Sequence, residues 1–133
     1  MNGTATPVKV VKVLAVVEDH PDVRLLIRVL LSEDDRLSIV DECASAEEAV
    51  TMAHDHVDEL GVIILDHMLE TEMTGIEVAP ILKREAPGAK ILLFTAHAQA
   101  MREAAGEPAI DDVLLKTETR ALLPAVRRLA GID

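Results

Sequence analysis

The sequence predicts an α/β domain, a parallel β-sheet with helices packed on both faces, and three observations predict it. Five short apolar runs of strand character alternate along the chain with five stretches of helical spacing. Half of the residues are hydrophobic, yet the aromatic content is one phenylalanine, Phe94, so the core is built from Val, Ile, Leu, Ala and Met, as suits strands buried on both sides. The length, 133 residues, is that of one ordinary domain. Right-handed crossovers follow from parallel pairing.

The elements come in order. Residues 1 to 7, MNGTATP, are small and polar and read as a mobile tail ahead of a domain spanning 8–133. Val8 to Val17 (VKVVKVLAVV) is a β-branched run and the first strand, ended by Glu18-Asp19-His20-Pro21. Pro21 suits the first turn of a helix, Asp22 is favourable against its dipole, and Val23, Leu26, Ile27, Leu30 and Leu31 follow at helical spacing. Arg36 to Cys43 alternates as a second strand, and Ser45 with Glu48 three residues on is the signature of a capping box opening a helix to about His56.

Gly61 to Asp66 is the third strand, Gly75 to Glu85 a helix, Lys90 to Thr95 the fourth strand, and Gln99 to Ala105 a short helix. Val113 to Leu115 with its flanks is the fifth strand, and a last helix carries Leu122, Val126 and Leu129 on one face. Pro80 and Pro124 each remove an intrahelical donor, which predicts a late start or a bend in their helices.

Ligands of such sheets sit beyond the carboxyl ends of the strands. Glu18 and Asp19 follow strand one, Asp66 ends strand three, Thr95 ends strand four and Lys116 follows strand five. An aspartate after a strand is ordinary turn chemistry, but turn residues alone would include Asn, Ser and Gly as often as three acids and a lysine. The pattern points to one shared site.

Three carboxylates against one ammonium leave that site strongly negative, and two charges ~4 Å apart interact by ~4 kcal/mol at an effective dielectric near 20. A divalent cation relieves the repulsion. Hard oxygen ligands with no sulfur or imidazole favour Mg²⁺, for which Mn²⁺ could substitute. Carboxylate, metal, lysine and threonine hydroxyl together form a set for handling a phosphoryl group, with Asp66 as the best-placed nucleophile and an aspartyl phosphate as its product.

The formal charge of −11 repels phosphate backbones and anionic lipid, which argues against direct nucleic-acid or membrane binding. No apolar run reaches the ~20 residues of a membrane span, and the single cysteine, Cys43, forms no internal disulfide and reads as structural. Both features suit a cytoplasmic protein.

The segments VVEDHPDVRLLIRVLL, VIILDHML, ILLFTAHA and DDVLLK, in this order and at these separations, give a sequence that resembles the receiver domain of two-component response regulators over nearly its whole length. The resemblance implies a doubly wound (βα)5 fold of three layers, α/β/α, with the flavodoxin-like strand order 2-1-3-4-5. It implies that Asp66 accepts a phosphoryl group from a histidine of a sensor kinase or a histidine phosphotransfer protein. Asp19 would bind Mg²⁺ directly, Glu18 through water, and the backbone carbonyl of Met68 would be a third protein ligand beside Asp66. Thr95 and Lys116 would be the switch hydroxyl and the phosphate-binding lysine, with His97 and Met68 at the rim, where His97 influences access of water.

Departures from the family pattern carry expectations of their own. A proline is usual four residues after the phosphoacceptor, where Glu70 stands, and the loop glycine usually comes eighth, where Gly75 is ninth. Glu70 and Glu72 read as solvated loop charges. Val113 occupies the position of the aromatic switch residue, so an aromatic rotamer switch cannot operate there. Thr117 replaces the proline that usually follows the lysine, so no cis peptide is expected, and Thr117 or Thr119 would cap the last helix.

Rival readings are weaker. His54 and His56 lie two apart on a helix and do not face each other, which makes a poor chelate. A dehalogenase-type hydrolase would need a second acid where Met68 stands, and a flavin site would need aromatic shielding. The remaining alternative is a degenerate receiver kept as a phosphorylation-independent interaction module. With residues 8 to 132 used by the fold, a stand-alone, non-enzymatic signalling domain is expected. Its output would pass by protein contact through the fourth helix, strand five and fifth helix, as a monomer or weak dimer.

Overall fold

A computed structural model describes residues 11–132. Residues 1–10 and 133 lie outside that range, and with them the expected tail and the first three residues of the expected first strand. Strand β1 (Lys12–Val17) is followed by α1 (Pro21–Leu31), β2 (Leu37–Cys43), α2 (Ala46–Asp55), β3 (Leu60–Leu65) and α3 (Gly75–Glu85). Then come β4 (Lys90–Thr95), α4 (Ala98–Ala104), β5 (Asp112–Leu115), a 3-10 turn (Thr119–Ala121) and α5 (Leu122–Ala130). The five strands form one parallel sheet in the order β2-β1-β3-β4-β5, as the resemblance implied.

Two apolar layers hold helices to the sheet, and the strand pleat divides the residues between them. Ala15, Val17, Ile63, Leu65, Ile91 and Leu93 face α2, α3 and α4, whose Met52, Val78, Leu82 and Ala100 complete that layer. Leu14, Val16, Val62, Ile64, Leu92 and Phe94 face α1 and α5, meeting Ile27, Leu31, Leu122 and Val126. Because alternate residues are buried on opposite faces, β3 and β4 read as unbroken apolar runs. Each buried Leu, Ile or Val contributes about 1.5–3 kcal/mol.

Sequence signals set most of the helix boundaries. Pro21 is the first residue of α1, with Asp22 in its first turn. Ser45 caps α2 by accepting from the Glu48 backbone N–H, but the Glu48 carboxylate reaches back to the Ala44 N–H, one residue beyond the usual box. The full reciprocal box occurs instead at Thr74 and Glu77, ahead of α3.

The two prolines behave differently from one another. Pro124 is the third residue of α5, where its missing N–H would have had no intrahelical partner, so the late start is realised. Helix α3 begins at Gly75 as predicted and runs through Pro80 without interruption; packing of Val78, Ala79 and Leu82 outweighs the ~3 kcal/mol cost of the proline. Neither Thr117 nor Thr119 caps α5. The chain enters it through the 3-10 turn, with Ala121 at the cap position and no side-chain cap. No cis peptide occurs among the described residues.

On α1, Leu26 is 39% exposed rather than buried, and Leu25 and Val29 are exposed beside it. No helix is long and apolar enough to cross a membrane among the described residues.

Candidate functional site

Parallel strands bring all their carboxyl ends to one edge of the sheet, and the adjacent strands β1, β3, β4 and β5 deliver the site. Asp66 follows β3 directly, its backbone N–H donating to the Val17 carbonyl at 2.9 Å, so the sheet continues to the aspartate. Its side chain is 4% exposed and held at both oxygens: the His67 N–H donates to Oδ1 at 2.8 Å and Lys116 Nζ to Oδ2 at 3.0 Å. Lys116 also reaches Glu18 Oε1 at 2.7 Å. One ammonium therefore joins the ends of β1, β3 and β5.

Glu18 is buried, with Oε2 accepting the His20 backbone N–H at 3.1 Å. Burial pushes its carboxyl above the usual range and the Asp66 charge adds to this, more than the bond from Lys116 pulls it back. For Lys116 burial alone would lower the pKa, but Glu18 and Asp66 outweigh it and hold the ammonium protonated above its ordinary value.

Ligand atoms of Glu18, Asp19, His20 and Asp66 all lie within 4.8 Å of one another, the one such group of His, Cys, Asp and Glu side chains among the described residues. Asp19 Oδ1 is buried without a hydrogen bond. A buried anionic oxygen with no donor in a pocket of three carboxylates fits a divalent cation, and the oxygen-rich donors fit Mg²⁺.

His20 was not singled out by the sequence reasoning. Its adjacency to Glu18 and Asp19 was the available signal, but the direction of its ring was not readable from spacing. Nδ1 lies 3.1 Å from Glu18 Oε2 and 2.9 Å from Asp19 Oδ1. The bond to Glu18, with the charge of Asp19, raises the imidazole pKa above its ordinary value.

Thr95 is fully buried at the end of β4, and its Oγ1 accepts from the His97 N–H at 3.2 Å instead of pairing with Asp66. The Thr95 carbonyl accepts the Lys116 N–H at 2.8 Å, which sets these two residues side by side. His67, Met68, His97, Gln99, Ala100 and Glu103 line a groove of about 240 Å³ at the rim, with Met68 51% exposed. Val113 is half-buried against the layer facing α4.

The lengthened loop after β3 still closes on the site. The Gly75 N–H donates to the His67 carbonyl at 2.8 Å, and a Cβ at Gly75 would lie 2.1 Å from the Asp66 carbonyl oxygen. Glu70 and Glu72 of this loop are exposed, in keeping with solvated charges. His54 and His56 do not converge: His54 is near Glu85, His56 near Glu59 and Asp41. Burial pushes the Cys43 thiol up to about 12, consistent with a structural role.

The family model of the response regulator receiver domain matches residues 14–127. The chain belongs to this family. It is 32% identical over 120 residues to response regulator protein VraR of Staphylococcus aureus, covering 89% of this chain and 56% of that protein. A receiver thus spans about half the length of the curated relatives it matches. Among solved structures it is similar to a LuxR-family two-component response regulator from Aurantimonas, at 27% identity and a TM-score of 0.79, covering 92% of this chain and 88% of that one. It is also similar to response regulator TrrA of Thermotoga maritima in complex with Mg²⁺ and beryllofluoride, at 28% identity and a TM-score of 0.75, covering 89% and 98%. A further fold neighbour, at 20% identity and a TM-score of 0.75 over 90% of this chain and 99% of that one, is described as a DNA-binding response regulator from Staphylococcus aureus. The relatives thus lend no support to the expected absence of a nucleic-acid partner.

Proposed function

We propose that this receiver takes a phosphoryl group onto Asp66 from a phosphohistidine of a sensor kinase or phosphotransfer protein, with Mg²⁺, and signals by protein contact. The observation that carries the reading is the placement of a buried carboxylate at the end of the central strand, oriented by a backbone N–H and a lysine beside two further acids. In the transfer, one Asp66 oxygen forms a bond to phosphorus while the nitrogen–phosphorus bond of the donor breaks, and the departing imidazole keeps that bond pair.

Asp19 and Asp66 would hold the ion directly, Glu18 through water, and Met68 through its carbonyl. Bound Mg²⁺ supplies neutralisation of charge on the phosphoryl oxygens. Lys116 would turn its ammonium from Glu18 toward the phosphoryl group, and Thr95 would exchange the His97 N–H for a bond to phosphate. His97 and Met68, at the rim, would govern access of water to the acyl phosphate. Mn²⁺ would serve in place of Mg²⁺. The chain is thus a cytoplasmic phosphoacceptor that promotes its own phosphorylation and dephosphorylation without turning over an external substrate.

Output would run through α4, β5 and α5 to a protein target or to a second copy in a weak dimer. The net charge of −11 disfavours direct contact of the receiver itself with nucleic acid. Val113 and the longer loop favour one second reading, a degenerate receiver that binds partners regardless of phosphorylation. Incubation with acetyl phosphate and Mg²⁺ separates the two. A mass gain of one phosphoryl group that is absent in Asp66→Asn supports the acceptor reading; no gain from acetyl phosphate or from a cognate kinase supports the second.

A further inference from the structure

The His20 ring is two-thirds exposed, yet its Nδ1 points into the carboxylate pocket and not to water. Neighbouring ligands of an octahedral ion held at about 2.1 Å lie about 3 Å apart. Nδ1 stands 2.9 Å from Asp19 Oδ1, the spacing of adjacent corners of such a shell. The contact with Asp19 is not a hydrogen bond, because Oδ1 is left without one. Nδ1 is hydrogen-bonded to Glu18 Oε2 at 3.1 Å, and a bound ion would take the place of the proton in that bond.

We propose that His20 is a nitrogen ligand of the pocket and shifts its preference from Mg²⁺ toward divalent ions that accept imidazole. The proposal rests on the reading of the pocket as a divalent-cation site. An all-oxygen set with water suits Mg²⁺, whereas one imidazole raises affinity for Ni²⁺ and its neighbours far more than for Mg²⁺. Pro21 supports the arrangement by fixing the backbone immediately after His20 as α1 begins, so the ring is presented from a stiff turn.

Calorimetric titration of the full chain with Mg²⁺ and with Ni²⁺, in the parent, His20→Ala and Asp19→Asn, tests this. The Ni²⁺ binding to be scored is the component lost in Asp19→Asn, which sets aside the other histidines. His20→Ala is expected to weaken that component about tenfold or more while Mg²⁺ affinity moves less than about twofold. Spin-echo spectra of bound Mn²⁺ should show imidazole nitrogen modulation in the parent and lose it in His20→Ala. Equal loss of both affinities, a rise in both (His20 then merely covering the pocket), or modulation that survives in His20→Ala would overturn the proposal while leaving the cation site standing. Absence of any Asp19-dependent binding in the parent would remove the cation site, and the proposal with it.

Discussion

Lys116 joins two acids of the site, 2.7 Å from Glu18 and 3.0 Å from Asp66. Both carboxylates are nearly sealed from water, so without this ammonium their charges repel with only backbone N–H groups and the His20 ring to offset them. In chelator, Lys116→Ala should lose about 3 kcal/mol of stability by urea unfolding, and Mg²⁺ should restore part of the loss because the ion replaces the missing charge. The variant should also lose phosphorylation-dependent partner binding. Equal destabilisation with and without Mg²⁺ would mean that Lys116 acts by packing and not by charge.

Glycine at position 75 serves the same site in a different way, by allowing backbone to touch backbone. Gly75→Ala would drive a methyl group against the Asp66 carbonyl, at a cost of about 1–3 kcal/mol and with a shift of the phosphoacceptor. A lowered urea midpoint together with weaker Mg²⁺ binding is the expected result; an unchanged midpoint would show that the loop does not press on Asp66.

Among the elements, α5 is tied to the α1–β2 connection through one carboxylate. Asp34 accepts from Arg36 Nε at 2.9 Å and from Arg127 Nε at 2.8 Å, and the two guanidinium groups hold its carboxyl well below the usual carboxylate range. The folded state therefore binds a proton at Asp34 more weakly than the unfolded chain does. This stabilisation is complete above the unfolded value of about 4 and is lost as pH falls toward the depressed folded value. Asp34→Asn should lower the urea midpoint at pH 7, and the gap to the parent should narrow below about pH 4. A gap of constant size down to about pH 2 would remove Asp34 from the account of acid sensitivity.

Element boundaries were legible where local chemistry decides them. Pro21 opening α1, Ser45 capping α2 and the apolar runs of β3 and β4 each act through residues adjacent in the chain. Pro80 was not legible in the same way, since only packing of α3 on the sheet shows that its lost hydrogen bond is outweighed. The entry to α5 is likewise set by a turn closed through backbone bonds from Glu118 to Leu115 and from Ala121 to Glu118, for which Thr117 and Thr119 carry no signal.

At the scale of the whole molecule, parallel topology makes the site readable from a linear string. Residues that follow β1, β3, β4 and β5 must meet at one edge, so Glu18, Asp19, Asp66, Thr95 and Lys116 could be assembled on paper once the strands were known. What topology does not convey is where each side chain turns at that edge. The ring of His20 turns into the pocket, the Thr95 hydroxyl turns away to His97, and Lys116 divides itself between two acids. These choices depend on rotamers and local bonds among residues up to 98 positions apart, with Glu18 and Lys116 as the extreme pair.

The most direct test of the account is a crystal grown with Mn²⁺ and beryllofluoride. Anomalous density for the ion between Asp19 and Asp66, with beryllium joined to an Asp66 oxygen and Lys116 on a fluoride, is the predicted result. An ion bound elsewhere, or beryllofluoride absent from Asp66, would contradict it.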